Sequence, residues 1–257
     1  MADYVPGDNI VRQVWGRSET VLFIFAGASA EFALNKAVDW LYFTGRLPAD
    51  PLGRLFSTVQ YARRIVFSEK AAAEKAIDTI AAIHKGVEAA RGAVIPDWAY
   101  RDVLYLLIHY SVAAFELIER PMTDPEKDDL YAVFLGIGLR MGLKELPPDY
   151  AAWLPSRAQH LRNDLVRSKY TDDLYRQYRR QLGGFRYTLL REVQVLLVPA
   201  SVRELLGLRR FSPLRLAVPL YKLGSVFGID RFIRLLLLPK AYKAQIDALD
   251  VHPPSSV

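Results

Sequence analysis

An all-α fold is what the sequence predicts, and three observations predict it. Apolar residues recur every three or four positions through most of the chain. Proline, glycine and capping residues divide it into helix-length segments. Hairpin signals are missing: there is no Asn-Gly or Asp-Gly pair and little strict alternation of apolar and polar residues. With 257 residues, 51% hydrophobic and 24% charged, the composition is that of a packed globular unit rather than a disordered chain. The expected architecture is one helical domain of about eight to ten helices over residues 1–247, with a frayed tail at 248–257.

Each element has a local reason. Pro51 opens a segment in which Leu52, Leu55, Phe56, Val59 and Ala62 repeat at helical spacing. Ser68 is the expected N-cap of a helix reaching about Glu88, and Pro96 starts an apolar helix over 97–119. Thr123 and Glu126 form a T-x-x-E capping box that opens 124–141; Gly142 ends that helix and Pro147-Pro148 enforce a turn. Residues 157–197 read as one long helical pattern interrupted at Gly183-Gly184. Pro199 closes it, Ser201 caps a short helix, and Pro213 and Pro239 punctuate the last two.

Much chemistry is excluded at this level. Cysteine is absent, which removes disulfides, thiolate nucleophiles, iron–sulfur clusters and thiolate-bound zinc or haem. No phosphate-binding G-x-x-x-x-G-K-[ST] occurs, and the glycines at 136, 138 and 142 have the wrong spacing for a dinucleotide fingerprint. Gly27-Ala-Ser29-Ala-Glu31 lacks the second glycine of a nucleophile elbow. A helical di-iron site needs Glu three residues before a His; Ala81, Leu106, Arg157 and Leu249 stand there instead.

The longest uncharged apolar runs, 20–30, 103–115 and 193–202, fall short of the roughly 18–20 residues of a membrane helix. The first ten residues carry no basic segment leading into an apolar one. A cytoplasmic location with peripheral membrane contact is therefore expected, the apolar stretch 216–238 reading as an interfacial or deeply packed helix pair. Net charge is +6, but residues 157–247 alone hold 18 Lys/Arg against 7 Asp/Glu. That bias suits an anionic partner such as lipid head groups or a phosphorylated or carboxylated ligand, against the plainer reading of a solvated face. Nucleic acid is not expected, because Tyr170, Tyr175, Arg176, Tyr178, Arg179 and Arg180 lie at spacings that suit helix packing.

Two of the four histidines sit on apolar helical faces. His84 has Ile77, Ile80, Ala81 and Val87 around it, and His109 has Tyr105, Leu106, Val112 and Ala113. Each is by default a core histidine satisfied by a hydrogen bond. A proximal haem ligand needs the same surroundings, a single imidazole in an apolar helical pocket.

The order of short motifs adds a resemblance. Asp50-Pro51-Leu52-Gly53-Arg54-Leu55-Phe56-Ser57-Thr58-Val59-Gln60-Tyr61 resembles the d-P-x-x-R-l-x-x-T-x-x-y segment of the family that contains the rubber oxygenase (latex-clearing protein) and the fungal ER-bound oxygenase MpaB. His84-Lys85-Gly86-Val87 is similar to its m-H-x-x-V element, and Leu107-Ile108-His109-Tyr110-Ser111 to its w-v-h-a-t. Asp128-Asp129-Leu130-Tyr131, Leu146-Pro147-Pro148 and the run from Val198 to Leu208 continue in register, so that the resemblance covers about 27–245.

The resemblance implies an all-α domain binding one b-type haem, with His84 as proximal iron ligand and Arg54 and Thr58 on the distal side. Arg54 would anchor a propionate or polarise dioxygen. His109 would support the pocket, and Asp39, with Glu31 further off, is the nearest carboxylate to the family's proposed base. Ser57 stands where the rubber oxygenase has a lysine able to close the iron, which implies an open or water-bound sixth site. The function expected from this is a haem b-dependent oxygenase acting with dioxygen on an apolar substrate, an isoprenoid being one class. The alternative is a non-catalytic haem- or lipid-binding protein of the same fold.

Overall fold

Eleven helices and no strand longer than an isolated bridge make up the described residues, 2–45 and 49–224 of the computed structural model. They are α1 (Ile10–Gly16), α2 (Ser18–Phe32), α3 (Asp39–Phe43), α4 (Pro51–Val66), α5 (Lys70–Arg91), α6 (Asp97–Ile118), α7 (Asp124–Arg140), α8 (Tyr150–Asn163), α9 (Lys169–Leu197), α10 (Ala200–Leu205) and α11 (Leu214–Gly224). The all-α expectation holds. The count exceeds eight to ten because α1 and α3, of 7 and 5 residues, are too short to show a periodicity, and because 157–197 is not continuous.

Local chemistry sets most boundaries. The Asp50 carboxylate accepts from the Gly53 amide at 2.9 Å and Pro51 occupies the first turn of α4. Thr123 and Glu126 form the reciprocal capping box on α7. At α5 the N-cap is Glu69, with no side-chain cap bond, rather than Ser68. Its C-terminus is turned by Gly92 at φ +69. The break at 164–168 is tertiary in origin: the Lys36 amide donates to the Asp164 carbonyl at 2.9 Å and the Val166 amide to the Leu34 carbonyl at 2.7 Å. Those backbone groups serve the end of α2 instead of a continuing helix, and Ser168 then caps α9.

α2 runs through the centre and packs chiefly on α6 and then on α9. Gly27 allows the α6 contact, since a Cβ there would stand 2.3 Å from Tyr110 Cδ1. Tyr110, Trp15 and Trp153 are among the largest fully buried side chains, and Trp15 Nε1 donates to Ser111 Oγ at 3.2 Å. α9 folds back on itself at Gly183 (φ 73, ψ 170). The Tyr175 hydroxyl donates to Gln194 Oε1 at 3.0 Å, nineteen residues on; a straight helix would hold such positions about 28 Å apart. The two arms of this hairpin flank the site described next.

No helix among the described residues is long and apolar enough to cross a membrane. The expectations for 225–238, Pro239 and the tail at 248–257 lie outside the described residues.

Candidate functional site

A cavity of about 780 Å³ opens between α1, α2, α3, α4, α5, α6, α7 and the arms of α9. Its wall is overwhelmingly apolar. α5 gives it one full face, with Ile80, Ile83, His84, Val87 and Ala90 succeeding one another at helical spacing. α2 and α6 add Phe25, Ala26, Leu104 and Leu107.

Few polar groups interrupt this wall. His84 Nδ1 is buried with no hydrogen-bond partner. Its ring lies 5.2 Å from that of Tyr100, tilted by 58°. Burial, and then the nearby Arg54 guanidinium, push the His84 pKa down against a smaller opposing pull from Glu88, so the imidazole is neutral at pH 7. Glu88 is engaged through one oxygen: its Oε1 accepts from the Tyr100 hydroxyl at 3.1 Å and from the Ile95 amide at 2.9 Å. Those bonds lock the α5–α6 turn and with it the ring against His84.

α4 contributes Arg54, Ser57 and Thr58 to the same wall. Both hydroxyls donate to the Arg54 carbonyl, at 2.9 and 3.0 Å, so each faces the cavity as a hydrogen-bond acceptor. Arg186, on the second arm of α9, also lines the cavity, and its Nε is buried without a partner. Four of the sequence-derived residues, Arg54, Ser57, Thr58 and His84, thus share one wall.

Asp39 and His109 are not part of that wall. Asp39 Oδ2 is held by Arg91 Nη2 at 2.7 Å, and the same guanidinium stacks 4.0 Å from the Trp40 ring centre. His109 lies within electrostatic reach of Arg157 and Glu31, its ring 4.8 Å from that of Tyr110 and its Nε2 buried without a hydrogen-bond partner. Burial first, then Arg157, lower its pKa to about 4.

Beside His109 lies a buried charged network. Arg157 grips both Glu31 oxygens, to one of which the Tyr110 hydroxyl donates at 3.0 Å. His160 sits between two carboxylates, Nε2 at 3.2 Å from Glu31 and Nδ1 at 2.5 Å from Asp102. Burial opposes its charge, but the bonds to Asp102 and Glu31 raise its pKa to about 9. Asn35, which also lines the cavity, donates to Asp102 at 3.0 Å and joins network to wall. Among the described residues Asp102, His160 and Asp164 form the one group whose donor atoms could hold a metal ion, all within 4.8 Å of one another. Here those atoms bond each other.

The sequence pattern of the "ER-bound oxygenase mpaB/B'/Rubber oxygenase, catalytic domain" matches residues 12–229. The chain belongs to this family. It is therefore an oxygenase-type catalytic domain, with a small-molecule substrate and dioxygen as the reactants that membership implies. Among curated proteins, none matches the chain.

In this oxygenase-family domain, motif reading missed Arg186 and the Glu31–Arg157–His160–Asp102 network. A signal existed for each. Arg186 falls on the apolar stripe Tyr178, Leu182, Leu190, Val193 of α9. Arg157, His160 and Asp164 repeat at three- and four-residue spacing on the α8 face that buries Trp153.

Proposed function

We propose that the chain is a haem b-dependent oxygenase acting on an apolar substrate. The observation that carries this reading is a neutral, partnerless imidazole, His84, on the wall of a large apolar cavity that also carries two arginines. An iron porphyrin asks for such features: an apolar enclosure, one imidazole ligand, and cations for its two carboxylates. When bound, it would supply the activation of dioxygen.

The chain's own residues do the rest. His84 would ligate the iron, its ring steadied by Tyr100, which Glu88 anchors. Arg54 and Arg186 would hold the carboxylates or orient polar groups of the reactants. Thr58 and Ser57 would offer acceptor oxygens to reactants held against that wall. The apolar walls exclude water and favour a hydrocarbon-like substrate such as an isoprenoid chain. Asp39, bound to Arg91, and His109, off the cavity wall, have no part in the proposed chemistry.

The same reading extends to peripheral contact with anionic membranes. Phe211 and Leu216 are exposed beside Arg209, Arg210 and Arg215, a pairing of apolar and basic groups that suits an interface.

The test is an absorption spectrum of the purified protein, as isolated and after dithionite. A Soret band at stoichiometric haem is expected, with ready binding of cyanide or imidazole by the ferric form. His84→Ala should lose the haem while retaining the helical circular dichroism signal. A variant with wild-type haem content and Soret maximum would sink the His84 assignment. A second reading, a lipid-binding protein without haem, is favoured by the near-absence of polar wall groups; colourless protein carrying co-purified lipid would select it.

A further inference from the structure

The hairpin of α9 has a second concave face, independent of the reading given above. A cavity of about 310 Å³ lies there, lined by Arg167, Arg176, Arg179, Arg191, Tyr175 and Tyr187 together with Thr171, Asp172 and Leu206. It shares no lining residue with the large cavity, to which the hairpin turns Tyr178, Leu182, Arg186, Leu190 and Val193 instead.

Four arginines line this small volume, and a single carboxylate, Asp172, is in its wall. The local acids neutralise only half of the charge. Asp172 pairs with Arg167 at 2.7 Å and Asp173 with Arg176 at 2.9 Å. Arg179 and Arg191 have no ion-pair partner among the described residues. Like charges gathered in one concavity raise the energy of the unliganded protein and focus a positive potential there. An anion carrying about two negative charges would remove that penalty, as a phosphate monoester does near neutral pH. The choice of side chain points the same way. All four cations are arginines, whose forked donors match phosphate oxygens in pairs, and none is a lysine.

The frame holding them is rigid. Tyr175 and Tyr187 meet edge to face at 6.4 Å, and the Tyr175 hydroxyl is committed to Gln194. This fixes the arm that bears Arg176 and Arg179 against the arm that bears Arg191. We propose that the outward face of the α9 hairpin is a binding site for a phosphate group, presented either by a small soluble monoester or by a lipid headgroup.

The experiment uses the full chain and three probes: inorganic phosphate followed by calorimetry and thermal shift at constant ionic strength, and vesicles of phosphatidylcholine with or without phosphatidic acid followed by co-sedimentation. The variant is Arg179→Gln with Arg191→Gln. Its control is Arg162→Gln with Arg180→Gln, which removes the same charge from exposed positions outside the cavity. Phosphate should raise the melting temperature of the wild type and of the control. It should bind the Arg179/Arg191 variant at least about tenfold more weakly. Arg179→Lys, which keeps the charge and loses the fork, should fall between. Phosphatidic acid vesicles retained only when Arg179 and Arg191 are intact, without binding of free phosphate, would assign the headgroup as the source. Equal binding by both double variants, or no binding of any phosphate probe by the wild type, would overturn the proposal. All the substituted side chains are exposed or half-buried, and circular dichroism checks the fold of each variant.

Discussion

His160, inside the buried network, and His109, beside it, are driven in opposite directions. The folded pKa of His160 is raised to about 9, so its stabilisation is complete below its unfolded value near 6.5 and is lost as pH climbs through about 9. The folded pKa of His109 is lowered to about 4. The unfolded chain therefore takes up that proton first, and stability falls as pH drops from about 6.5 towards 4. Melting temperature plotted against pH should therefore decline on both sides of neutrality. His109→Gln should flatten the acid limb and His160→Gln the alkaline limb. Unchanged limbs would show that neither ring is the titrating group. Why His84 was legible and this network was not follows from distance along the chain. Arg54, Ser57, Thr58 and His84 belong to short motifs on adjacent helices, whereas Glu31 meets Arg157 across 126 residues. No local pattern announces which carboxylate a buried arginine will find.

Among the elements, α9 shows both what sequence can read and where it stops. The glycine pair at 183–184 reads as an interruption, and Gly183 is one: with φ 73 and ψ 170 it occupies a region essentially closed to residues with a Cβ. The reversal of direction was not readable, because it depends on Tyr175 meeting Gln194. Gly183→Ala should cost roughly 1–3 kcal/mol. For a chain of this size that lowers the melting temperature by roughly 2–4 °C per kcal/mol. Gly184 makes a matched control, since it has no positive φ and open space around its Cβ position; Gly184→Ala should be neutral or mildly stabilising. Equal effects at the two positions would mean that the reversal does not rest on Gly183. The break before α9 was missed for a related reason. Residues 164–168 leave the helical pattern because Leu34 and Lys36 take their backbone hydrogen bonds, and the sequence shows only unbroken periodicity there.

Over the whole molecule, fold class, most helix starts and one catalytic-domain family were readable, because each rests on periodicity, caps or motif order. The cavity was not, since it is a property of eight helices brought together from residues 11 to 193. The network behind it has a consequence in time rather than in structure. Its members come from α2, α6 and α8, and Arg157 can reach Glu31 only after the intervening helices have packed. Closing so long a loop is entropically unfavourable until they have. The pair should then form after the folding barrier is crossed and act on the return journey alone. Arg157→Met leaves Glu31 buried without its main counter-charge, a loss of about 3–5 kcal/mol. Nearly all of it should emerge as faster unfolding, on the order of a hundredfold or more, with the refolding arm of the chevron almost unmoved. A refolding rate that fell in proportion would place the pair in the nucleus instead. On this view the buried ions are a latch: they govern how long a folded molecule lasts, and hardly how readily one is made.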